Sequence, residues 1–399
     1  MTSQIDRVQQ HSTLPPAQPA YVLRGHAAQV HALRFLSGNA RLLTADADGW
    51  VVLWSLATKR PVAVWRAHRN SILGLCDWQH DRIVTHGRDS HLRVWQLRAE
   101  DEGTYSTVLP VDGATVHRKE PWLLHSLRIN TLNFCSFSMC TGPFKRRIAT
   151  TSLASEKEAL IAVPGVKDDE IDIFQLPSEH RILTVPALPI KTAGMVMAVS
   201  IQKTLEDGIR LISAYESGAT AVHVRFSKAL SGVKCIYTSS PHSQPILSLA
   251  LSPLAPGTTF YTSGADDLIA AHDWNSPNPF TPPIKSVHTK HAGQQSITVR
   301  SDGRILATAG WDGRIRVYSA KHLNELAVLK YHNEGCYAVA FSDVGTSAGN
   351  ENSQDIETAV RTRANGRETV RQRRDRKATE VHWLAAGSKD GKVSLWDIY

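Results

Sequence analysis

The chain has 399 residues, of which 42% are hydrophobic and 21% are charged, and its 45 Lys and Arg against 37 Asp and Glu give a formal net charge of +8. This composition is typical of a globular protein with a large core, and no stretch approaches the roughly 18 consecutive apolar residues of a membrane-spanning helix. The first residues lack the pattern of a secretory signal, and the five cysteines are odd in number and scattered. We therefore expect no membrane span, no disulfide framework and a reducing compartment.

Most of the positive charge lies in one segment. Residues 361–377 contain seven Arg and one Lys against one Glu and one Asp, a balance of +6, which leaves +2 for the rest of the chain. A domain that binds nucleic acid with its folded surface usually spreads its basic residues over that surface. The wider stretch 343–380 has no Phe, Trp, Tyr or Leu, which predicts a disordered charged insertion. Residues 1–20, rich in Gln and Pro, predict a flexible tail.

A repeat is the informative signal. Four segments each contain a short apolar run, a turn with Asp, and a second run that alternates with period 2 and ends in an aromatic residue six positions after the Asp. These Asp and aromatic residues are Asp48 and Trp54, Asp89 and Trp95, Asp312 and Tyr318, and Asp390 and Trp396. Weaker copies lie at 213–223 and 262–272, and a degenerate copy ends at Phe174. Each copy predicts two antiparallel strands joined by a tight turn.

A further strand is predicted before most hairpins, where a His is followed by apolar residues at +4, +7 and usually +9. These histidines are His26, His68, His125, His242 and His332, with His291 in a shortened version. A β-prone stretch after each aromatic residue gives a fourth strand. Seven such units predict an all-β, seven-bladed propeller over residues 21–399, with insertions near 98–122, 135–158 and 343–380. The last unit ends within its third strand, so we expect residues 21–24 to supply its fourth strand and close the ring.

Gly25-His26 with Leu53-Trp54-Ser55, and Leu395-Trp396-Asp397 near the end, resemble the signature of WD40 repeats, a family of β-propellers. The resemblance covers about residues 21–399 and implies a hydrogen-bonded tetrad of loop His, strand hydroxyl, turn Asp and strand Trp in each blade. The implied tetrads are His26, Thr44, Asp48 and Trp54 in the first blade, and His68, Thr85, Asp89 and Trp95 in the second. Other blades depart from this pattern, with Ser217 in place of Asp and with His272 and Tyr318 in place of Trp.

Three segments resemble a narrower group: YVLRGH at 21–26, LRINTLNFC at 127–135 and SAYESG at 213–218. They look like the fungal ASTRA-associated WD-repeat proteins, which are similar to the animal G-protein β-subunit-like protein. This resemblance implies a non-enzymatic subunit of a nuclear assembly that acts in chromatin regulation and in the maturation of phosphatidylinositol-3-kinase-related kinases. It further implies three kinds of protein partner, namely Tel/Tti co-chaperones, RuvB-like AAA+ ATPases and a giant kinase-related scaffold. The nucleus is the implied location, and the cytoplasm stays open.

The sequence lacks three common motifs of nucleotide-binding and catalytic sites. It contains no Walker-type Gly-rich loop, no H-E-x-x-H and no G-x-S-x-G. Asp266, Asp267 and His272 fall on the repeat template, and Cys135 and Cys140 have no second pair of metal ligands. We expect no enzyme activity, no cofactor, no bound metal and no small-molecule substrate. A propeller enzyme with a polar cluster in its channel stays open as an alternative.

Two groups of residues are candidates for partner binding. One group precedes the turn Asp or its replacement and therefore projects from one rim of a propeller: Arg88, Glu216, Trp311 and Lys389. Exposed Trp and Arg are typical hot spots of protein interfaces. Simple packing at the rim also explains these residues. Arg371, Arg373, Arg374, Arg376 and Lys377 form a candidate nuclear-import run. The leading hypothesis is a rigid interaction scaffold without direct nucleic-acid contact. The alternative is a chromatin or nucleic-acid reader that uses the basic loop 361–377.

Overall fold

A computed structural model describes residues 17–113, 118–131, 134–142, 158–188, 193–204, 208–225, 232–254, 257–276, 278–344 and 369–398. In these ranges the chain forms seven antiparallel sheets of four strands each. The sheets are arranged as the seven blades of a β-propeller, as the repeat predicted.

Each blade runs from an inner strand at the central channel to an outer strand at the periphery. Blade 1 has β2 (Val30–Leu36), β3 (Arg41–Asp46), β4 (Trp50–Ser55) and β5 (Arg60–Arg66), and blade 2 has β6 (Ile72–Trp78), β7 (Arg82–Gly87), β8 (His91–Gln96) and β9 (Trp122–Arg128). Blade 3 has β10 (Ser138–Thr141), β11 (Ala159–Pro164), β12 (Ile171–Leu176) and β13 (His180–Val185), and blade 4 has β14 (Val196–Lys203), β15 (Ile209–Tyr215), β16 (Thr220–Arg225) and β17 (Lys234–Ser239). Blade 5 has β18 (Ile246–Leu251), β19 (Thr259–Gly264), β20 (Leu268–Asp273) and β21 (Lys285–His288), and blade 6 has β22 (Gln294–Val299), β23 (Ile305–Gly310), β24 (Arg314–Ser319) and β25 (Glu325–Lys330). Blade 7 has β26 (Cys336–Phe341), β27 (Trp383–Ser388), β28 (Lys392–Asp397) and β1 (Tyr21–Arg24).

The hydrophobic core lies between neighbouring blades. Successive side chains of a strand point to opposite faces of its sheet, so a middle strand serves two cores at once. Leu42 packs in a cluster with Trp383 of blade 7, whereas the next residue, Leu43, packs in a cluster with Trp95 of blade 2. Both faces of the middle strands are therefore buried, which explains why their sequences are almost continuously apolar.

The N-terminal strand closes the ring. β1 pairs antiparallel with β28, with Tyr21 opposite Leu395 and Leu23 opposite Val393. The Leu23 side chain is buried in the cluster shared by blades 7 and 1. The predicted closure is confirmed, because blade 7 takes three strands from the C-terminal part of the chain and one from the N-terminal part.

Blade 3 differs from the prediction in where it begins. His125 was expected to precede the inner strand of this blade, but it lies within β9, the outer strand of blade 2, and its Nδ1 is 2.7 Å from Oε1 of Glu179. The inner strand is β10, which begins only at Ser138. The start of the His-plus-apolar pattern at 125–134 therefore belongs to an outer strand, Ile129 and Phe134 lie outside the strands, and residues 132–133 lie outside the described residues.

Two of the three predicted insertions lie in connections of which the structure describes a helical part, whereas residues 143–157 of the insertion predicted at 135–158 lie outside the described residues. Between β8 and β9 the chain forms 3₁₀ turns at Ala99–Thr104 and Pro110–Asp112, and the backbone N–H of Val64 in β5 donates to the carbonyl of Ser106. The second insertion joins β26 to β27, where a disordered segment was predicted over 343–380. Its last part is instead an α-helix, α1 (Val370–Glu380), and residues 345–368 lie outside the described residues. With 11 residues, α1 is the longest helix described, and no described helix is long and apolar enough to cross a membrane.

Local and tertiary contacts explain why α1 forms despite its polar sequence. The Thr369 hydroxyl accepts from the backbone N–H of Gln372, and the Gln372 side chain accepts from the backbone N–H of Thr369, which completes a capping box. At the other end, Ala378 is buried between blades 7 and 1, and Trp383 Nε1 donates to its carbonyl at 2.9 Å. Disorder was predicted from the composition of the whole insertion, which does not reveal that its last 11 residues form a capped helix docked on the ring.

Candidate functional site

The tetrad of blade 2 has the predicted membership. His68 Nε2 lies 2.7 Å from the Thr85 hydroxyl and Nδ1 lies 2.8 Å from Asp89 Oδ1, while Trp95 Nε1 donates to Thr85 Oγ1 at 3.0 Å. Burial lowers the pKa of His68, which favours the neutral ring. A neutral ring that donates to Asp89 and accepts from Thr85 then completes one directed chain of hydrogen bonds from Trp95 to the carboxylate. This chain ties together the turn, the strand and the loop.

The tetrad of blade 1 uses a different carboxylate from the one that the WD40 pattern implies. His26 Nδ1 lies 2.7 Å from Asp46 Oδ2, and His26 Nε2 and Trp54 Nε1 both bond to Thr44. Asp48, the implied member, is exposed, and its backbone N–H donates to Asp46 Oδ1 at 3.0 Å. The assignment of Asp48 to this tetrad was therefore wrong.

Strand geometry explains the exchange between Asp46 and Asp48. Thr44 and Asp46 are two positions apart in β3, so their side chains lie on the same face and both reach His26. In blade 2 the position that matches Asp46 is Gly87, where a Cβ atom would lie 2.3 Å from Nδ1 of His68. A carboxylate cannot occupy that position beside such a ring, so Asp89 supplies it from the turn. Period-2 alternation within TADAD was the signal that could have identified Asp46.

Blade 5 contains a tetrad in which a second histidine replaces Trp. His242 bonds to Asp266 and to the Thr262 hydroxyl at 2.8 and 2.9 Å, and Thr262 Oγ1 lies 3.0 Å from Nε2 of His272. The other ring nitrogen of His272 lies 2.9 Å from the Tyr237 hydroxyl. Burial lowers the pKa of His272 to about 3, so this ring stays neutral at physiological pH. The conspicuous Asp266 and His272 are thus engaged in holding the blade together.

Blades 6 and 7 reach similar networks with other residues. In blade 7, His332 Nε2 and Trp396 Nε1 each lie 2.9 Å from the Ser394 hydroxyl. In blade 6, Gln294 takes the place of the loop histidine, because its Oε1 accepts from Thr308 at 2.7 Å. The two blades therefore keep the buried polar network and change the residues that make it.

The blade turns that carry these networks open onto one end of the propeller, which we call the upper rim. At this end the inner strands of the blades surround a cavity of about 600 Å³ in the central channel. Trp311, in the β23–β24 turn, lines this cavity together with Phe134, and their side chains are 46% and 62% exposed. Trp311 Nε1 donates to Gln295 Oε1 at 2.7 Å. Gly293 has φ +78°, and a Cβ atom there would overlap the Trp311 ring.

The other predicted rim residues hold different positions around this mouth. The Arg88 guanidinium lies 4.4 Å from the centre of the Phe134 ring, so it borders the cavity. Glu216 is exposed and accepts from the backbone N–H of Met195. Lys389 is half exposed and lies 3.8 Å from the carboxylate of Glu334. Of the four predicted rim residues, Trp311 alone lines the cavity, and Arg88 reaches its border by packing on the ring of Phe134, which also lines it.

Phe134 was missed as a rim residue because its spacing from His125 predicted a strand position in a buried core. The other predicted group of binding residues, at 371–377, lies on α1. α1 lies in the connection between the end of β26 and the start of β27, at the opposite end of the blades from the upper rim. The two candidate partner-binding groups are therefore separated by the full length of the strands.

Comparison with known proteins agrees with this architecture. The family described as ASTRA-associated protein 1 matches residues 19–396. A protein of that name from Verticillium alfalfae is 46% identical and covers 97% of this chain and 94% of its own length. Proteins of the same name from Aspergillus niger and Schizosaccharomyces pombe are 43% and 33% identical, with coverage of 100% and 96% of this chain and 100% and 99% of their own lengths. The chain belongs to the ASTRA-associated protein 1 family.

Proposed function

We propose that this chain is a non-enzymatic interaction scaffold whose upper rim binds another protein of the ASTRA assembly. The observation that carries the proposal is the pair of exposed aromatic rings, Trp311 and Phe134, at the mouth of a concave surface bordered by Arg88. Exposed Trp and Arg at a preformed depression are the residue types that dominate binding energy at protein interfaces. The rigid ring presents them without an ordering cost on binding.

Two further observations support the scaffold hypothesis. The names of the relatives state an association with ASTRA, and the relatives match nearly the full length of the chain. The polar residues that most resemble a catalytic cluster, Asp266 and His272, already bond to blade partners. Within the proposal, the partners are Tel/Tti co-chaperones, RuvB-like ATPases and a giant kinase-related scaffold, and the setting is chromatin regulation and kinase maturation in the nucleus.

Affinity purification tests the scaffold proposal. The full-length tagged chain is recovered from its own organism, and co-purifying proteins are quantified by mass spectrometry for the wild type and for Trp311→Ala. The matched control is Trp122→Ala, which removes a 73% exposed Trp from the outer edge of blade 2. We expect Trp311→Ala to reduce the recovery of ASTRA subunits by about tenfold or more and the control to leave it unchanged. The midpoint of thermal unfolding is measured for each variant.

Two outcomes contradict the scaffold proposal. Failure of the wild type to recover any ASTRA subunit removes the assembly assignment. Full recovery by Trp311→Ala, and also by Trp311→Ala combined with Arg88→Glu, shows that the upper rim is not the binding surface. The location is tested separately, by imaging the fluorescently tagged chain with and without replacement of the five basic residues of 371–377 by Gln; exclusion of the wild type from nuclei rejects the nuclear assignment.

A further inference from the structure

The outward face of α1 carries uncompensated positive charge. The helix has five basic residues and two acidic ones. The acidic ones are adjacent to basic residues of the helix itself, with Asp375 4.0 Å from Arg371 and Glu380 3.5 Å from Arg376. Arg373, Arg374 and Lys377 are exposed and have no carboxylate partner among the described residues. At 3.6 residues per turn these three side chains lie within about 100° of one another, and we call them the basic face.

Blade 1 adds to this concentration of charge. Lys59, in the turn between β4 and β5, places its ammonium group 4.2 Å from the centre of the Trp383 ring, beside the helix. Burial, together with the charge of Lys377, lowers the pKa of Lys59 to about 8. The charges of Lys59 and Lys377 thus repel each other beside the helix, an arrangement that an added anion would stabilise.

The helix is also held in place. Ala378 is buried between blades 7 and 1, Trp383 Nε1 donates to its carbonyl at 2.9 Å, and Asn39 of the β2–β3 turn donates to the carbonyl of Thr379 at 3.5 Å. These contacts hold the C-terminal end of the helix on the rigid ring. A partner that binds the basic face therefore meets arranged charges, and it does not have to order a loop first.

We propose that the basic face of α1, together with Lys59, binds an acidic segment of a protein partner, a run of Asp and Glu side chains. This site is distinct from the upper rim, since it lies at the other end of the blades, and it does not depend on the function proposed there. An acidic segment is favoured over nucleic acid because the patch is short: eleven helical residues span about 16 Å. Outside α1 the chain has 40 basic and 35 acidic residues. The rest of the protein therefore has little net positive charge with which to bind a phosphate backbone beyond the helix.

Fluorescence anisotropy with the full-length chain tests this proposal. The probe is a labelled peptide of about 12 Asp and Glu residues, long enough to run along α1, and a Gln and Asn peptide of the same length is the neutral comparison. We expect binding of the acidic peptide that weakens as salt is raised. Arg373→Gln, Arg374→Gln and Lys377→Gln together reduce its affinity by about tenfold or more. The Lys replacements Arg373→Lys and Arg374→Lys keep the charge and hold the affinity within about threefold.

A control variant removes the same charge elsewhere. Lys234, Lys321 and Lys330 are exposed on other blades, and their combined replacement by Gln changes the peptide affinity by less than about twofold if the effect is local. If both triple variants lose the same affinity for the acidic peptide, the binding depends only on the net charge of the protein, and the proposal is wrong. The same follows if the neutral peptide binds as well as the acidic one. If short duplex DNA binds more tightly than the acidic peptide, and the α1 variant loses this binding, the ligand of the basic face is nucleic acid and the proposal of an acidic segment is wrong.

Discussion

Ser394 lies opposite Ala386 in the β27–β28 pair of blade 7, and it supplies the hydroxyl that Ala386 lacks. In blades 1 and 2 the corresponding hydroxyl belongs to the strand before the turn, as Thr44 and Thr85. In blade 7 it has moved across the strand pair, and both Trp396 and His332 still bond to it. The position of a buried polar atom is thus retained although the residue that carries it has changed.

Ser394→Ala tests this transfer across the strand pair. The change leaves a buried Trp N–H and a buried His nitrogen without their shared partner, which we expect to lower the free energy of unfolding by about 1–3 kcal/mol. Adding Ala386→Ser returns a hydroxyl from the opposite strand and restores part of the loss. Chemical denaturation of the single and double variants measures both effects. A double variant no more stable than Ser394→Ala would contradict the exchange.

Asp46→Ala and Asp48→Ala distinguish the two carboxylates of blade 1. Asp46 bonds to His26, and it also accepts the backbone N–H groups of Asp48 and Trp50, so its removal costs about 2–4 kcal/mol of unfolding free energy. Asp48 contributes to that network only through its backbone, so its truncation changes stability by about 0.5 kcal/mol or less. Urea titrations measure the free energy of unfolding of both variants. A larger loss in Asp48→Ala than in Asp46→Ala would show that Asp48 is the carboxylate of the tetrad.

Buried histidines predict a loss of stability in mild acid. Burial lowers the pKa of His86 and His272 to about 3 and that of His223 to about 4. In the unfolded chain these rings take up protons below about pH 6.5, so the unfolded state binds more protons and the free energy of unfolding falls as the pH falls from about 6.5 to about 4. Each histidine contributes about 1.4 kcal/mol per pH unit to that slope.

His272→Gln isolates one of these contributions. The amide retains groups that can bond to Thr262 and Tyr237, but it does not titrate. We expect the variant to lose less stability than the wild type between pH 6.5 and 4.5, by about 2–3 kcal/mol. His322→Gln, at an exposed turn, controls for the loss of a histidine as such. Denaturant titrations across this pH range that give parallel curves for wild type and His272→Gln would show that His272 is protonated in the folded state.

Removal of the N-terminal strand tests the closure of the ring. Deleting residues 1–24 exposes the edge of β28 and removes the buried Leu23, so we expect a lower midpoint for the entire unfolding transition. Deleting residues 1–18 leaves β1 intact and should leave the midpoint unchanged. Differential scanning calorimetry of the two truncations compares them directly. Equal midpoints would mean that β1 contributes nothing to the stability of blade 7.

The repeat made the blades predictable because the turn Asp and the aromatic residue recur at a fixed spacing, and each recurrence marks one pair of antiparallel strands. The spacing could not identify Asp46 or Ser394, because a buried hydrogen bond requires an atom at a point in space, and neighbouring positions or facing strands can each supply it. The prediction from His125 was wrong because the same sequence pattern occurs in a different place. In other blades this His precedes the inner strand, whereas His125 lies within an outer strand. The docking of α1 depends on Ala378 reaching a core formed by distant strands, a contact that local composition does not encode.

The pairing of β1 with β28 also sets the order of events during synthesis. Among the described strands, Tyr21–Arg24 leaves the ribosome first, and its partner Lys392–Asp397 is the last to be made. At about 5–20 residues per second, the first strand waits about 20–75 s before its partner exists, while the blades between them can already fold. During that interval its apolar Leu23 can pack only against the blade 1 side of its cluster, because the blade 7 side has not yet been made. A strand of only four residues offers few unpaired backbone groups to other chains, which makes it a poor template for aggregation while it waits.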